Sequence, residues 1–309
     1  TPPHERRHHH MPRPYEHIRV IDLSDRLSGA FAARLFGDYG ADVILVEAPE
    51  GHPLRHEPPF LDDQPGPDRS ALHAYANWNK RSLVLEARSD DLGQLAQLIA
   101  TADVVITTAS PIGETLKAAL AHLPADAVHL SVTPHGLDGL IANLPGNNLT
   151  ASARTGWSYV NAYQDEPPLQ MPRHQAHYVG GVAGFLAASA ALLRRDSNDE
   201  AEPVAAATSL PRDQIPAAVA AQSSRKGEQV DVSETEAFAL TVHPWGIGAI
   251  YSDIGWSRGP AGGKTRGEPG PLWQTADGQI NFGLGDWHNW TQAMHVLNLP
   301  ELADREDLI

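Results

Sequence analysis

Residues 18 to 47 read "IRVIDLSDRLSGAFAARLFGDYGADVILVE", and this stretch narrows the fold more than any other. Its opening, "IRVIDLS", alternates β-branched and polar residues and stops at Ser24. "GAFAARLFGDYG" then carries helical apolar spacing and closes at Gly40, and "ADVILVEAP" is a buried strand. Strand, helix and strand in so short a span make a right-handed parallel βαβ unit. A second round follows in "RSLVLEA", "DDLGQLAQLIATA" and "DVVITTA", and "AVHLSVTPHG" adds one more strand. The expected fold is a doubly wound α/β sheet that binds ligands at the carboxyl ends of its strands. Its first turn, "DLSDRLSGAF", lacks the GxGxxG of a dinucleotide site; Ser28 and Gly29 open the helix instead.

Four segments are expected along the chain. Residues 1–16 lack the apolar core of a signal peptide and read as a disordered tail whose "HHH" binds metal only adventitiously. Residues 17–235 form the large domain, interrupted at 196–224 by a Pro-, Ala-, Ser- and acid-rich excursion expected to be mobile. "RKGEQVDVSETEAFAL" supplies a strand and a helix capped by Ser233, with Glu236 completing a capping box. From 236 to 309 a linker helix leads into a smaller α+β domain, a hairpin turning at Asp277-Gly278 and then a short helix.

The charge balance, 23 Lys plus Arg against 38 Asp plus Glu, gives a net −15, which argues against nucleic acid or an anionic membrane as partner. An anionic ligand would need a local basic site. The absence of cysteine excludes thiol nucleophiles and fits a cytoplasmic location. The histidines show no HExxH and no paired spacing, so no metal site is expected. Residues 173–195, "RHQAHYVGGVAGFLAASAALLRR", read as a buried helix rich in Ala and Gly rather than a membrane span. His174 and His177 sit around its N-terminus, either as a polar cap or as a neutral imidazole at an anion-friendly helix end.

These segments together resemble the class III CoA-transferases (the CaiB/BaiF family), which include formyl-CoA transferase and the α-methylacyl-CoA racemases. "VIDLSDRLSGAFAARLFGDYGADVILVEAPEG" is similar to the family's opening strand-helix-strand, "GHPLRHEPPF" to its next loop and "NWNKRSLVLEARSDD" to its Asn-x-Asn-Lys-Arg-Ser segment. "RKGEQVDVSETEA" and "PLWQTADGQINFGLG" resemble its later strand-helix entry and small-domain hairpin. The resemblance implies a Rossmann-like large domain with a parallel sheet, a small domain, and a homodimer of intertwined chains. It also implies that family chains continue beyond Ile309 and return to the large domain.

It further implies CoA thioesters as substrates, with carboxylic acids as partners and no permanently bound cofactor. The family's CoA-binding positions match Arg55, Asn79, Lys80 and Arg81, whose three cations suit phosphates. Where the family carries an Asn-Phe pair near the adenine, this chain has Thr107, Thr108 and Ala109. The family's catalytic carboxylate falls on His177, and the family's Pro-Gly-x-Asp on "PGNN", hence Asn147 and Asn148. An anhydride intermediate needs a carboxylate, so His177 is read as a general base and the asparagines as oxyanion donors. Asp165 and Glu166 are substitute carboxylates by proximity alone. The expected function is CoA transfer between an acyl-CoA and a carboxylic acid, or a racemase, lyase or hydrolase variant. The alternatives are a CoA-binding pseudoenzyme or partner subunit, and a nucleotide-binding α/β protein outside the family.

Overall fold

A computed structural model describes residues 13–85, 89–109, 112–160, 167–197, 227–242, 272–274, 276–281 and 287–305. The chain divides into two compact units, Thr1–Ser158 with Gln170–Ser257, and Tyr159–Leu169 with Arg258–Ile309. In the first, β1 (Arg19–Asp22), β2 (Asp42–Glu47), β3 (Lys80–Val84), β4 (Val104–Thr107), β5 (Val128–Thr133) and β6 (Gln229–Ser233) form one sheet. All of its pairings are parallel, and the order is β3-β2-β1-β4-β5-β6. The direction of winding reverses between β1 and β4, which opens a crevice at the carboxyl edge.

The helices are α1 (Leu27–Asp38), α2 (Ala71–Ala76), α3 (Ser89–Ile99), α4 (Glu114–Leu120), α5 (Asn148–Arg154), α6 (Trp157–Val160), α7 (Gln175–Asp196) and α8 (Glu234–Ala239). Successive strand residues point to opposite faces, so the sheet builds two cores. On one face Val20, Val43, Ile106 and Leu130 pack with Phe36 of α1 and Ala188, Ala191 and Leu192 of α7. On the other, Ile21, Ile44 and Val105 pack with Leu95 and Ile99 of α3 and Ala119 of α4. α7 is long and apolar enough to cross a membrane by composition, yet these contacts make it a core helix of the sheet.

Its glycines permit that seat. A Cβ on Gly181 would stand 2.7 Å from the Ser28 carbonyl oxygen, and one on Gly184 would stand 2.9 Å from Val132 Cγ2. Residues 13–16, placed by sequence in a disordered tail, instead form a turn whose Tyr15 ring meets Phe36 and Phe185 edge-on. The aromatic anchor outweighs the polar composition around it. The excursion expected at 196–224 lies outside the described residues from 198 onward. α8 is capped by Ser233, whose hydroxyl accepts from Glu236 N at 3.2 Å. In the second unit, β7 (Leu272–Gln274) and β8 (Gln279–Asn281) pair antiparallel around Asp277 and Gly278, and α9 (Trp287–Val296) follows.

Candidate active site

Three chain segments far apart in sequence converge at the carboxyl edge of the first unit: the turn after β1, the start of α7 and the start of α8. Arg26 precedes α1, His177 is the third residue of α7, and Glu234 directly follows β6. Glu234 is buried, and four contacts engage its two oxygens. Oε1 accepts from Ser28 Oγ at 2.5 Å and Arg26 Nε at 3.2 Å; Oε2 accepts from Arg26 Nη2 at 3.0 Å and faces His177 Nδ1 at 3.0 Å. Burial alone pushes this carboxyl up, but the His177 and Arg26 interactions prevail and hold it at about 2.

The tautomer of His177 follows from those partners. An ionised carboxylate only accepts, so the proton in the 3.0 Å contact sits on Nδ1. Arg26 Nη2 lies 3.5 Å from the same nitrogen, but a guanidinium cannot accept, and it donates to Glu234 and to the Gly146 carbonyl at 3.0 Å. In the neutral imidazole the free lone pair is therefore on Nε2. Gly180 makes room for this arrangement, since a Cβ there would stand 2.9 Å from Glu234 Cγ.

Neither histidine caps α7. His174 occupies the N-cap position without a side-chain cap bond, and its ring lies 6.0 Å from that of His177. The N–H of Ala176, one of the helix's open donors, goes instead to Asn148 Oδ1 at 3.0 Å, while Asn148 Nδ2 donates to Met171 O at 2.6 Å. Asn148 thus ties α5 to the entry of α7. Asn147 caps α5, accepting from Thr150 N at 3.0 Å while the Thr150 hydroxyl accepts from Asn147 N at 2.8 Å. Both asparagines are committed to the scaffold through the atoms described. Asp165 and Glu166 lie outside the described residues.

The four positions matched to CoA binding are spread apart. Arg55 forks onto Glu47 at the carboxyl end of β2, with Nε to Oε2 at 2.7 Å and Nη2 to Oε1 at 2.9 Å, and Nη1 reaches the exposed Asp68. The Lys80 side chain is 1% exposed, and its three protons are used on Asp22, the Ala30 carbonyl and Asn77. Burial by itself raises Asp22, but Lys80's charge and hydrogen bond outweigh it and hold the carboxyl ionised. Arg81 is exposed and grips Asp42, the first residue of β2, so it stands at the amino edge of the sheet. Asn79 turns the chain into β3 at φ 64° and donates to Asp38. Of these residues, Arg55 alone lies at the carboxyl edge with part of its guanidinium open. Thr108 donates to Asp25 at 2.6 Å and ties the end of β4 to the β1–α1 turn.

Sequence reasoning missed Glu234 and Arg26, which lie 208 residues apart. The one available signal was an acid at the first position of a helix whose apolar partner helix offers glycine.

Comparison with known proteins places this geometry in context. Residues 15–211 match the family model described as CoA-transferase family III. The chain is 29% identical over 238 residues to succinyl-CoA:(R)-benzylsuccinate CoA-transferase subunit BbsE of Thauera aromatica, covering 74% of this chain and 51% of that protein. It is 29% identical over 201 residues to a succinate–glutarate CoA-transferase of Agrobacterium fabrum, covering 61% of this chain and 49% of that protein. With mouse succinyl-CoA:glutarate CoA-transferase it shares 26% identity, covering 94% and 61%. The chain thus spans about half to three fifths of these relatives' length. A CaiB/BaiF family crystal structure from Brucella suis superimposes with a TM-score of 0.68 at 22% identity, covering 96% of this chain and 72% of that one, which shows the fold.

Proposed function

Because the chain belongs to CoA-transferase family III, we propose that it transfers CoA between an acyl-CoA and a carboxylic acid, with His177 as the residue that meets the thioester. The observation that carries this reading is the His177 imidazole held by buried Glu234 beside Arg26, its Nε2 lone pair free, at the carboxyl edge of a doubly wound sheet. Glu234 itself is no anhydride-forming nucleophile, since both oxygens are buried and bonded. Nε2 is the group able to attack the thioester carbonyl carbon, the C–S bond breaking as CoA leaves as thiolate. The acceptor carboxylate then attacks the acyl carbon, frees the imidazole and forms a mixed anhydride. CoA thiolate attacks the acceptor's carbonyl carbon in that anhydride and releases the donor acid, which completes the exchange. Arg26 balances negative charge on the oxygens. Arg55 is the CoA-phosphate residue favoured by its position.

The relatives' printed substrates make succinyl-CoA and glutarate the first pair to test. Mass spectrometry should detect glutaryl-CoA growing with time. Free CoA without glutaryl-CoA would assign hydrolysis instead. A second reading is favoured by the relative named as a subunit and by the histidine at the family's carboxylate position: the chain binds CoA and serves a partner that carries the carboxylate. CoA binding without turnover supports it. We place the protein in the cytoplasm as a homodimer; the exposed Val182, Leu186 and Leu193 on one side of α7 support a partner chain there, and sedimentation tests it.

A further inference from the structure

We propose that Glu234 is a positioning residue that locks His177 with its proton on Nδ1 and its Nε2 lone pair toward the crevice. This rests on the reading of His177 as the reacting group, but its geometry stands apart from the reaction chosen. A buried carboxylate bonded to a serine hydroxyl, a guanidinium and an imidazole is costly to assemble unless each partner is placed. Here each partner comes from a different element: Ser28 from α1, Arg26 from the turn before it and His177 from α7. Gly180 is the space into which the Glu234 side chain fits. Without the carboxylate, Arg26 Nη2 would face His177 Nδ1 at 3.5 Å with nothing between two donors, which favours the opposite tautomer or a rotated ring.

Proton transfer and attack both need a fixed lone pair, and a carboxylate behind the imidazole supplies it while stabilising the imidazolium that forms. The charged or titratable groups facing His177 are Glu234 from α8, Arg26 from the β1–α1 turn and His174 from the entry to α7. His135, after β5, faces Gly146, whose carbonyl Arg26 holds. Removing the acid therefore leaves a cation and a histidine beside the ring.

Nitrogen-15 NMR of the full chain, with the His177 signal assigned by its loss in His177→Gln, reads the tautomer directly and requires no turnover. The expected result in the wild type is a protonated Nδ1 and an unprotonated Nε2 above the titration midpoint. In Glu234→Gln the amide offers a donor as well as an acceptor, so the Nδ1–H preference should weaken and the proton should populate Nε2 as well. Ser28→Ala keeps the carboxylate, so the proton should stay on Nδ1. If Glu234→Gln does not fold, the wild-type tautomer still decides. A wild-type proton on Nε2, or a tautomer unchanged in Glu234→Gln, overturns the assignment. In any measurable CoA transfer, Glu234→Gln should lower kcat and keep KM within a few-fold. A KM that rises with kcat unchanged counts against positioning. A wild type that transfers no CoA counts against the reaction and leaves the NMR result to judge Glu234.

Discussion

Nδ1 of His177 lies 3.0 Å from Oε2 of Glu234, and the sequence separating the two residues includes the rest of α7 and all of β6. His177→Ala removes the nucleophile that carries the acyl group and should abolish turnover of a verified acyl-CoA. CoA affinity, measured by calorimetry, should stay within a few-fold, because the lost group acts in the transition state. His177→Asp puts a second carboxylate within reach of Glu234, and like charges resist joint ionisation. That variant should keep only a trace of CoA transfer, now through an aspartyl anhydride rather than the imidazole. Full turnover in the alanine variant moves the chemistry elsewhere.

Stability should fall on acidification in a defined window. Glu234 and Glu47 are both held at about 2 against an ordinary 4.5. For Glu47, burial raises the carboxyl, while Arg55, Ser82 and the His52 backbone lower it further. A depressed carboxylate stabilises the fold fully above its unfolded value, and that contribution disappears as pH drops through the folded value. The carboxylates' contribution should therefore hold from pH 7 to about 5 and be lost between roughly 4.5 and 2, while His73, held by burial at about 4 against an ordinary 6.5, adds a loss that begins below about pH 6.5. Glu47→Gln should melt lower at pH 7 and lose less on acidification. Equal acid slopes in the two proteins would remove Glu47 from the account.

The sheet was legible because each strand carries its own pattern. The centre of "ADVILVEAP", Val43 to Val46, is apolar since β2 is covered on both faces, and Ser233 announces α8 by chemistry local to the chain. The site was less legible. Ser233 and Glu236 drew attention to a capping box, whereas the functional interest lies at Glu234, whose partners are fixed only when α1, α7 and α8 meet. Net charge hides the partners of the cations. At −15 overall, Arg55, Lys80 and Arg81 read as cations awaiting an anion, but each already holds a carboxylate of its own: Glu47, Asp22 and Asp42.

Those pairings separate the three cations experimentally. Lys80→Ala leaves Asp22 ionised and buried without its counter-ion, a change that costs on the order of 3–5 kcal/mol. It should show as a lower denaturation midpoint, and any loss of CoA binding should vanish when only folded protein is counted. Arg81→Ala removes an exposed pair worth no more than about 1 kcal/mol and should leave both stability and CoA affinity nearly unchanged. Arg55→Ala should weaken CoA more than dephospho-CoA if it meets the 3′-phosphate. Loss of CoA binding in stable Arg81→Ala would put the ligand at the amino edge of the sheet.

Gly180 and Gly181 are neighbours on α7 with different duties, and alanine at each should show it. A Cβ on Gly181 would stand 2.7 Å from the Ser28 backbone oxygen and 3.1 Å from Phe31 Cβ, so α7 has to back away from α1. Alanine favours the helix by about 1 kcal/mol, yet overpacking a fitted interface costs about 1–3 kcal/mol. Net destabilisation is expected for Gly181→Ala, read as a lower melting temperature. At Gly180 the nearest atom is Glu234 Cγ, a side chain able to shift. Gly180→Ala should therefore disturb stability less and the His177–Glu234 contact more, lowering kcat and loosening the Nδ1–H tautomer. If Gly180→Ala leaves that tautomer in place and Gly181→Ala changes it, the seat of α7 on α1, rather than the room beside Glu234, governs the imidazole.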